Sequence, residues 1–287
     1  MIPAQGALVR PLALKDPPQL INYLTRDSVA NIYPLGWVAT HGISPSNSNL
    51  SFQFIGAFNE EQLTGMMLLA GQSLLFMATD TPQAAREFIR HLVCRNLQFK
   101  VIIGLRESLE NAIESLSALS IKPRLSRPQL LLVLYPERFR PVTSSGLRRA
   151  SLQNLETLLA ATMDMYSQEI RAEPAAADIP AFRRTLQHQI LQGNVYCSPN
   201  ATSNQIEFKA NVTARSRYGT QIEGVYVPPH LRRRGFATRG MSQLCLKLLE
   251  EAPPVSLFVN RDNSPARSLY EQKLGFQPTH DFTTAFF

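Results

Sequence analysis

The sequence predicts an α/β chain built on mixed β-sheets and arranged as two lobes in tandem. Three observations carry that expectation. Short apolar runs rich in β-branched residues alternate with stretches whose apolar positions recur every three or four residues, the periods of strand and helix. The resulting order, β-β-α-β-α-β, occurs twice. Between the two copies, residues 137–150 are polar and proline-bearing and make the best linker in the chain. The expected division is a first domain over 1–136, a linker over 137–150 and a second domain over 151–287, which suits a chain of 287 residues.

In the first lobe an extended piece at 7–12 precedes a helix opened by Asp16-Pro17-Pro18, where proline is at home in a first turn. That helix carries Leu20, Ile21 and Leu24. A second short helix is expected over 27–37 and is stopped near Pro34. Residues 42–49, rich in Ser, Pro and Asn, read as a loop. Strands at 52–58 and 63–70 are joined by Asn59-Glu60-Glu61-Gln62, a hairpin signal. A strand at 73–78 follows, then a helix at 82–96 with Ala85, Phe88, Ile89, Leu92 and Val93 on one face. A strand at 101–104, a helix at 109–119 and a strand at 129–135 complete the lobe.

The second lobe opens with a helix over 151–166, with Leu155, Leu158, Leu159 and Met163 on one face. A helix–loop over 165–170 and 174–178 and a helix over 179–192 lead to strands at 195–197, 205–213 and 220–227. Then come a helix at 236–251, a strand at 255–259, a helix at 264–274 and a terminal strand at 282–287. The terminal strand can close its own lobe's sheet or pair across a dimer, and the oligomeric state stays open.

Bulk composition narrows the function classes. Apolar content of 44% and charged content of 18% describe an ordinary globule. Cys94, Cys197 and Cys245 are widely spaced, with no CxxC and no Cys/His pairing of metal-site type, so no metal is expected. Cys245 falls on an apolar helix face and reads as a core residue. A reducing, cytoplasmic setting is expected, since no basic-apolar leader pattern and no run of eighteen apolar residues is present. The net charge is +7, but the arginines are scattered without interleaved aromatics, so neither nucleic acid nor membrane is an expected partner.

The chemistry concentrates at residues 222–241. Ile222 to Val227 form a strand, Pro228-Pro229 end it, and Arg232-Arg233-Arg234-Gly235-Phe236-Ala237 lead into a helix. A strand, a tight basic turn and a helix start make an anion site. The free N–H groups of the first helical turn converge there, the helix dipole favours negative charge, and Gly235 lets the backbone come close. The Walker pattern lacks its lysine here, and the dinucleotide pattern lacks its other glycines.

What fits is Arg-x-x-Gly-x-Ala at Arg232, Gly235 and Ala237, introduced by Val227 and Pro229. Downstream, Asn263, Ala266, Tyr270, Gly275 and Phe276 form a second set at helical spacing. Together the two sets resemble the signatures of the GCN5-related N-acetyltransferases, the GNAT superfamily. The layout also resembles a subfamily of it with an extra N-terminal domain of uncharacterised function, on Asp27 to Ile32, Phe208-Lys209-Ala210 and Gln221 to Val227. The resemblance implies tandem GNAT-like acyl-CoA N-acyltransferase folds. The N-terminal one is degenerate, because Ala78-Thr79-Asp80-Thr81-Pro82-Gln83 stands where the phosphate turn would be and Asp80 is anionic.

The resemblance further implies acetyl-CoA as co-substrate and an amine-bearing acceptor, either small molecule or peptide. Arg232, Arg233, Arg234, Gly235, Phe236, Ala237 and Thr238 would take the pyrophosphate, and the main chain of Val225, Tyr226 and Val227 would run beside the pantetheine arm. Asn263 would hold that arm, with Arg267 also among the coenzyme A contacts. Tyr270 would give a proton to the departing sulfur, although its spacing equally suits a packed helix-face aromatic. Glu223 is the first choice for general base, with Glu169, His230 and a water relay as alternatives. A non-catalytic acyl-CoA-binding module is the competing reading.

Overall fold

The computed structural model describes residues 8–13, 15–44, 51–71, 74–143, 146–170, 179–200 and 205–287, with the side chains of 169 and 170 excepted. The expected loop at 45–49, the segment at 174–178 and the Glu169 side chain lie outside the described residues. In chain order the elements begin with β1 (Leu8–Pro11), α1 (Pro17–Thr25), α2 (Ile32–His41), β2 (Phe52–Asn59), β3 (Gln62–Ala70) and β4 (Leu74–Thr79). Next come α3 (Pro82–Cys94), β5 (Val101–Leu105), α4 (Arg106–Ala118), β6 (Leu125–Leu134) and β7 (Arg148–Arg149). They continue with α5 (Leu155–Ile170), α6 (Ile179–Leu191), β8 (Val195–Pro199), β9 (Ile206–Ser216) and β10 (Gly219–Tyr226). The chain closes with α7 (Phe236–Glu251), β11 (Val255–Asn260), α8 (Ser264–Arg267), a π-helical stretch Ser268–Leu274 and β12 (Gln277–Phe286).

The chain divides into two compact units, each assembled from separate stretches. Unit one comprises Met1–Leu131, Val259–Asn263 and Pro278–Phe287, and unit two Leu132–Phe258 and Ser264–Gln277.

In unit one the strands run in the order β1-β2-β3-β4-β5-β12, with β4 and β5 parallel and the other neighbours antiparallel. Alternation along each strand sends side chains to both faces. Ile55, Met67, Leu75 and Met77 meet Phe88, Ile89 and Leu92 of α3 and Leu109 and Leu116 of α4 in one core cluster. Tyr33 of α2 packs 5.7 Å from the Phe76 ring, and Trp37 lies 5.8 Å from Phe52. α2 also corrects an expectation: it runs on from Ile32 to His41, and Pro34 sits inside its first turn rather than ending it. A proline there removes no intrahelical hydrogen bond, because the first turn's N–H groups have no helical acceptor.

The C-terminal strand was expected in the second lobe or across a dimer. It instead pairs antiparallel with β5, from Phe282↔Leu105 to Phe286↔Val101. Both of its faces are covered: Ala285 joins the α3–α4 core, and the Phe282 ring lies 6.2 Å from Phe76. Thr284 donates to Gln129 at 2.6 Å, and His280 Nε2 lies 2.8 Å from Asp27.

Asp16 stands before α1 without capping it through its side chain. Its carboxylate accepts from both terminal nitrogens of Arg10, at 2.7 and 3.0 Å, and from the Ala13 N–H at 2.6 Å. The Arg10 guanidinium therefore holds this buried carboxyl at about 2, below its ordinary 3.8. A lowered folded value means stability that is present above the ordinary value and lost as pH falls through the folded one. Asp16→Asn is expected to cost about 2 kcal/mol at neutral pH. In urea titrations its deficit should narrow below pH 3.8 and close near pH 2, the two values between which this carboxyl's contribution fades.

In unit two the order is β11-β10-β9-β8-β7, with β10 and β11 parallel and the rest antiparallel. Leu155, Leu158 and Leu159 of α5 and Leu186 and Ile190 of α6 pack on Val195, Cys197 and Ile206. On the opposite face α7 comes close to β9 at Gly240, where an added Cβ would meet the Phe208 ring at 2.5 Å. Cys245 is buried in α7, as its apolar position predicts, and burial pushes its thiol well above the ordinary range.

Candidate active site

The site grows from the way β10 leaves its neighbours. Its parallel ladder with β11 pairs Thr220 with Val255, Gln221 with Ser256 and Ile222 with Leu257, and ends there. β10 itself continues to Tyr226. On its other side Glu223 pairs with Asn211, yet the next register pair is Tyr226 with Lys209. Three steps on β10 therefore match two on β9. The extra residue is a β-bulge, with Gly224 at φ +60°. Pro228 and Pro229, with no N–H to donate, prevent the ladder from resuming.

Beyond β10 the chain makes a short 3-10 turn at Pro229–Leu231 and reaches α7. Gly235 is the N-cap, at φ +81° and ψ 0°, and no side chain caps the helix. The first-turn N–H groups of α7 are thus left to solvent or to a ligand, and the helix dipole adds positive potential. Arg233 and Arg234 are exposed on the same turn. Arg239, which sequence reasoning overlooked, folds back over it. Its guanidinium lies 4.8 Å from the Phe236 ring, donates to the Arg234 carbonyl at 3.3 Å, and would meet a Cβ on Gly235 at 2.7 Å. The available signal was a basic residue one helical turn beyond the glycine.

Arg232 takes a different direction. Its Nε donates to the Val227 carbonyl at 3.1 Å and its Nη2 to Gln168 of α5 at 2.5 Å. Nearby, the Tyr226 hydroxyl donates to the carboxylate of Asp164, also on α5. Burial, reinforced by that carboxylate, pushes the phenol above its ordinary range. Two side-chain bonds thus tie α5 to the end of β10 and to the turn, and neither Asp164 nor Gln168 was singled out by the sequence.

Among the other expected residues, Glu223 is exposed on β10 and Val227 is buried at its end. Phe236, Ala237 and Thr238 form the first turn of α7. His230 lies in the 3-10 turn. Tyr270 is buried in the π-helical stretch, its ring 5.8 Å from that of Phe276, and its carbonyl accepts the Gly275 and Phe276 N–H groups. Arg267 pairs with Glu271 at 2.6 Å. Asn263 belongs to unit one, where its N–H donates to the Asn260 carbonyl at 2.9 Å.

Unit one has a parallel strand pair of its own, β4 and β5, each followed by a helix. The β4–β5 ladder runs from Leu74↔Val101 to Met77↔Gly104, and a Cβ at Gly104 would meet the Met77 carbonyl at 2.8 Å. α3 is capped by Thr81, whose hydroxyl accepts the Ala84 N–H at 3.2 Å. Asp80 is held by Arg26 and by the Tyr23 hydroxyl, each at 3.0 Å. A cavity of about 510 Å³ beside the starts of α3 and α4 is lined by Asp80, Glu107, Glu110 and Asp281 together with Arg106, which pairs with Glu110.

Among the described residues no helix is long and apolar enough to cross a membrane. None of the described His, Cys, Asp and Glu side chains form a group of three that could hold a metal ion.

These elements define the fold of the GNAT acetyltransferases, a mixed α/β sheet with a splayed parallel strand pair leading into a helix. The comparisons with known proteins agree on that fold. The FR47-like protein family model matches residues 208–285, which hold β10, the turn and α7. A Drosophila protein solved by structural genomics superposes with a TM-score of 0.69 at 12% identity, covering 98% of this chain and 99% of its own. A GCN5-related N-acetyltransferase from Sphaerobacter thermophilus gives 0.58 at 12% identity, over 98% and 95%. A tandem GNAT protein from the clavulanic acid biosynthesis pathway gives 0.55 at 12% identity, over 98% of both chains. No curated protein matches the sequence.

Proposed function

We propose that this protein is an N-acetyltransferase that moves an acetyl group from acetyl-CoA directly to a primary amine in a ternary complex. The observation that carries the reading is the course of β10, which parts from β11 after Ile222 and delivers the chain to α7, a helix start with no side-chain cap. The residues fit the co-substrate. Strand main chain at Val225, Tyr226 and Val227 offers amide-type partners to the pantetheine arm. The turn from Arg232 to Thr238, with Arg239 beside it, offers donors and positive charge to a pyrophosphate.

The nitrogen of the acceptor attacks the thioester carbon, so a C–N bond forms as the C–S bond breaks. The amine gives up a proton and the sulfur gains one. Glu223 is assigned to receive the first, directly or through water, and Tyr270 to supply the second. Asn263 and Arg267 are assigned to the pantetheine arm.

The proposal keeps lobes at 1–136 and 151–287 with a linker at 137–150, save that residues 259–263 and 278–287 fall in the first unit, and the first lobe is degenerate. Support comes from the β4–β5 ladder and the side-chain cap on α3. Each disfavours a phosphate there.

Calorimetric titration with acetyl-CoA and coenzyme A tests the reading. Micromolar binding to the wild type, with thiol release on addition of a primary amine, is the expected result. Absence of binding would end it.

A further inference from the structure

The face of β9 beneath the bulge carries two side chains that stability alone does not favour. Lys209 is fully buried, and Asn211 is 93% buried, being 7% exposed. Their register partners on β8 are Cys197 and Val195, both in the core with α5 and α6, so the lysine and the asparagine point toward those helices. Asn211 Nδ2 stands 3.5 Å from Gln189 of α6, and its Oδ1 is a buried oxygen without a hydrogen-bond partner among the described residues. Leaving a buried amide oxygen without a partner costs stability that a leucine would not. Such groups mark places where something other than packing is being selected.

Both lie against one point. A Cβ added at Gly224 would meet Asn211 Nδ2 at 3.3 Å and Lys209 Nζ at 3.4 Å. The two nitrogens therefore fill the space that a side chain at Gly224 would take, and its φ of +60° is one that other residues rarely adopt. The bulge lies where β10 has already left β11, at the start of the stretch whose main chain at Val225, Tyr226 and Val227 is proposed to run beside the pantetheine arm.

We propose that Lys209, with Asn211 beside it, is a positioning residue for the acyl carbonyl. It fixes the Gly224 bulge so that the amide following it is aimed at the thioester oxygen and stays aimed as negative charge develops there. A donor held in place without reorganisation is worth far more than one that must turn. The inference rests on the acetyltransferase reading of unit two.

The test needs no acceptor. Isotope-edited infrared spectra of [1-13C]acetyl-CoA bound to the full chain report the hydrogen bonding of that carbonyl. For the wild type the carbonyl band is expected to move to lower frequency on binding. In Lys209→Met the shift should fall to half or less, and the preference for acetyl-CoA over its thioether analogue S-ethyl-CoA should fall by about tenfold. Affinity for coenzyme A itself should hold within twofold, and the circular dichroism spectrum should match that of the wild type. Asn211→Leu leaves the lysine in place and is expected to lose part of the shift, so it serves if Lys209→Met does not fold. An unchanged band in the folded variant would overturn this inference alone. No bound acetyl-CoA in the wild type would overturn the acetyltransferase reading with it.

Discussion

Gly235→Asp is expected to raise the dissociation constant for coenzyme A at least a hundredfold, about 2.7 kcal/mol, while leaving the fold intact. The two effects separate because the same position plays two parts. As the N-cap of α7 it accepts an aspartate well, since a carboxylate there takes a first-turn N–H and sits favourably in the helix dipole. The positive φ costs about 1 kcal/mol for aspartate, which is among the residues that tolerate this region. The neighbour its Cβ would meet is the end of the Arg239 side chain, which can swing aside and pair with the new carboxylate. Cap and strain roughly offset, so the melting temperature should stay within a few degrees. The anion site fares otherwise. A fixed negative charge would occupy the first-turn N–H groups and repel a pyrophosphate at short range. Calorimetry on the variant, with circular dichroism as the fold control, checks both halves. Retention of coenzyme A affinity within threefold would move the phosphates away from α7.

The turn was legible because its chemistry is local. Pro228-Pro229, Gly235 and the apolar repeat of α7 act on residues a few positions away, so neighbouring sequence determines them. Pro34 shows the limit of that logic. Proline ends a helix from inside but not from its first turn, and only the observed start at Ile32 reveals which case applies. β12 shows another. Its alternating apolar residues specify a strand, but its partner β5 lies about 180 residues earlier, from Phe282 to Leu105, and no local pattern records that pairing. Lys209 in Phe208-Lys209-Ala210 reads as the outward polar position of a half-buried strand. The cover of α5 and α6 over that face, which buries it, appears only in three dimensions. Asp164 and Gln168 were invisible for the same reason: on an amphipathic helix they are ordinary polar positions until the end of β10 comes up against them.

Tyr270→Phe is expected to lower turnover about a hundredfold or more, with coenzyme A affinity unchanged within twofold. The change removes one oxygen and keeps the ring, whose packing against Phe276 and whose main-chain bonds to Gly275 and Phe276 do not involve the hydroxyl. The ring packing and the main-chain bonds would therefore be preserved, and a proton-donating role would be lost. The π-helical stretch that holds the residue sharpens the argument. An α-helix would place this side chain one position differently against its neighbours, and an inserted π-turn is a costlier arrangement found most often at functional sites. Steady-state kinetics with a fixed amine, set beside calorimetry, separates the cases. Lost turnover with retained binding assigns the proton transfer to Tyr270. Full activity would leave the residue as packing and hand the sulfur's proton to solvent. A wild type that binds acetyl-CoA but transfers it to no amine would favour the acyl-CoA-binding module, because a bound thioester without a productive acceptor serves as a signal rather than a reagent.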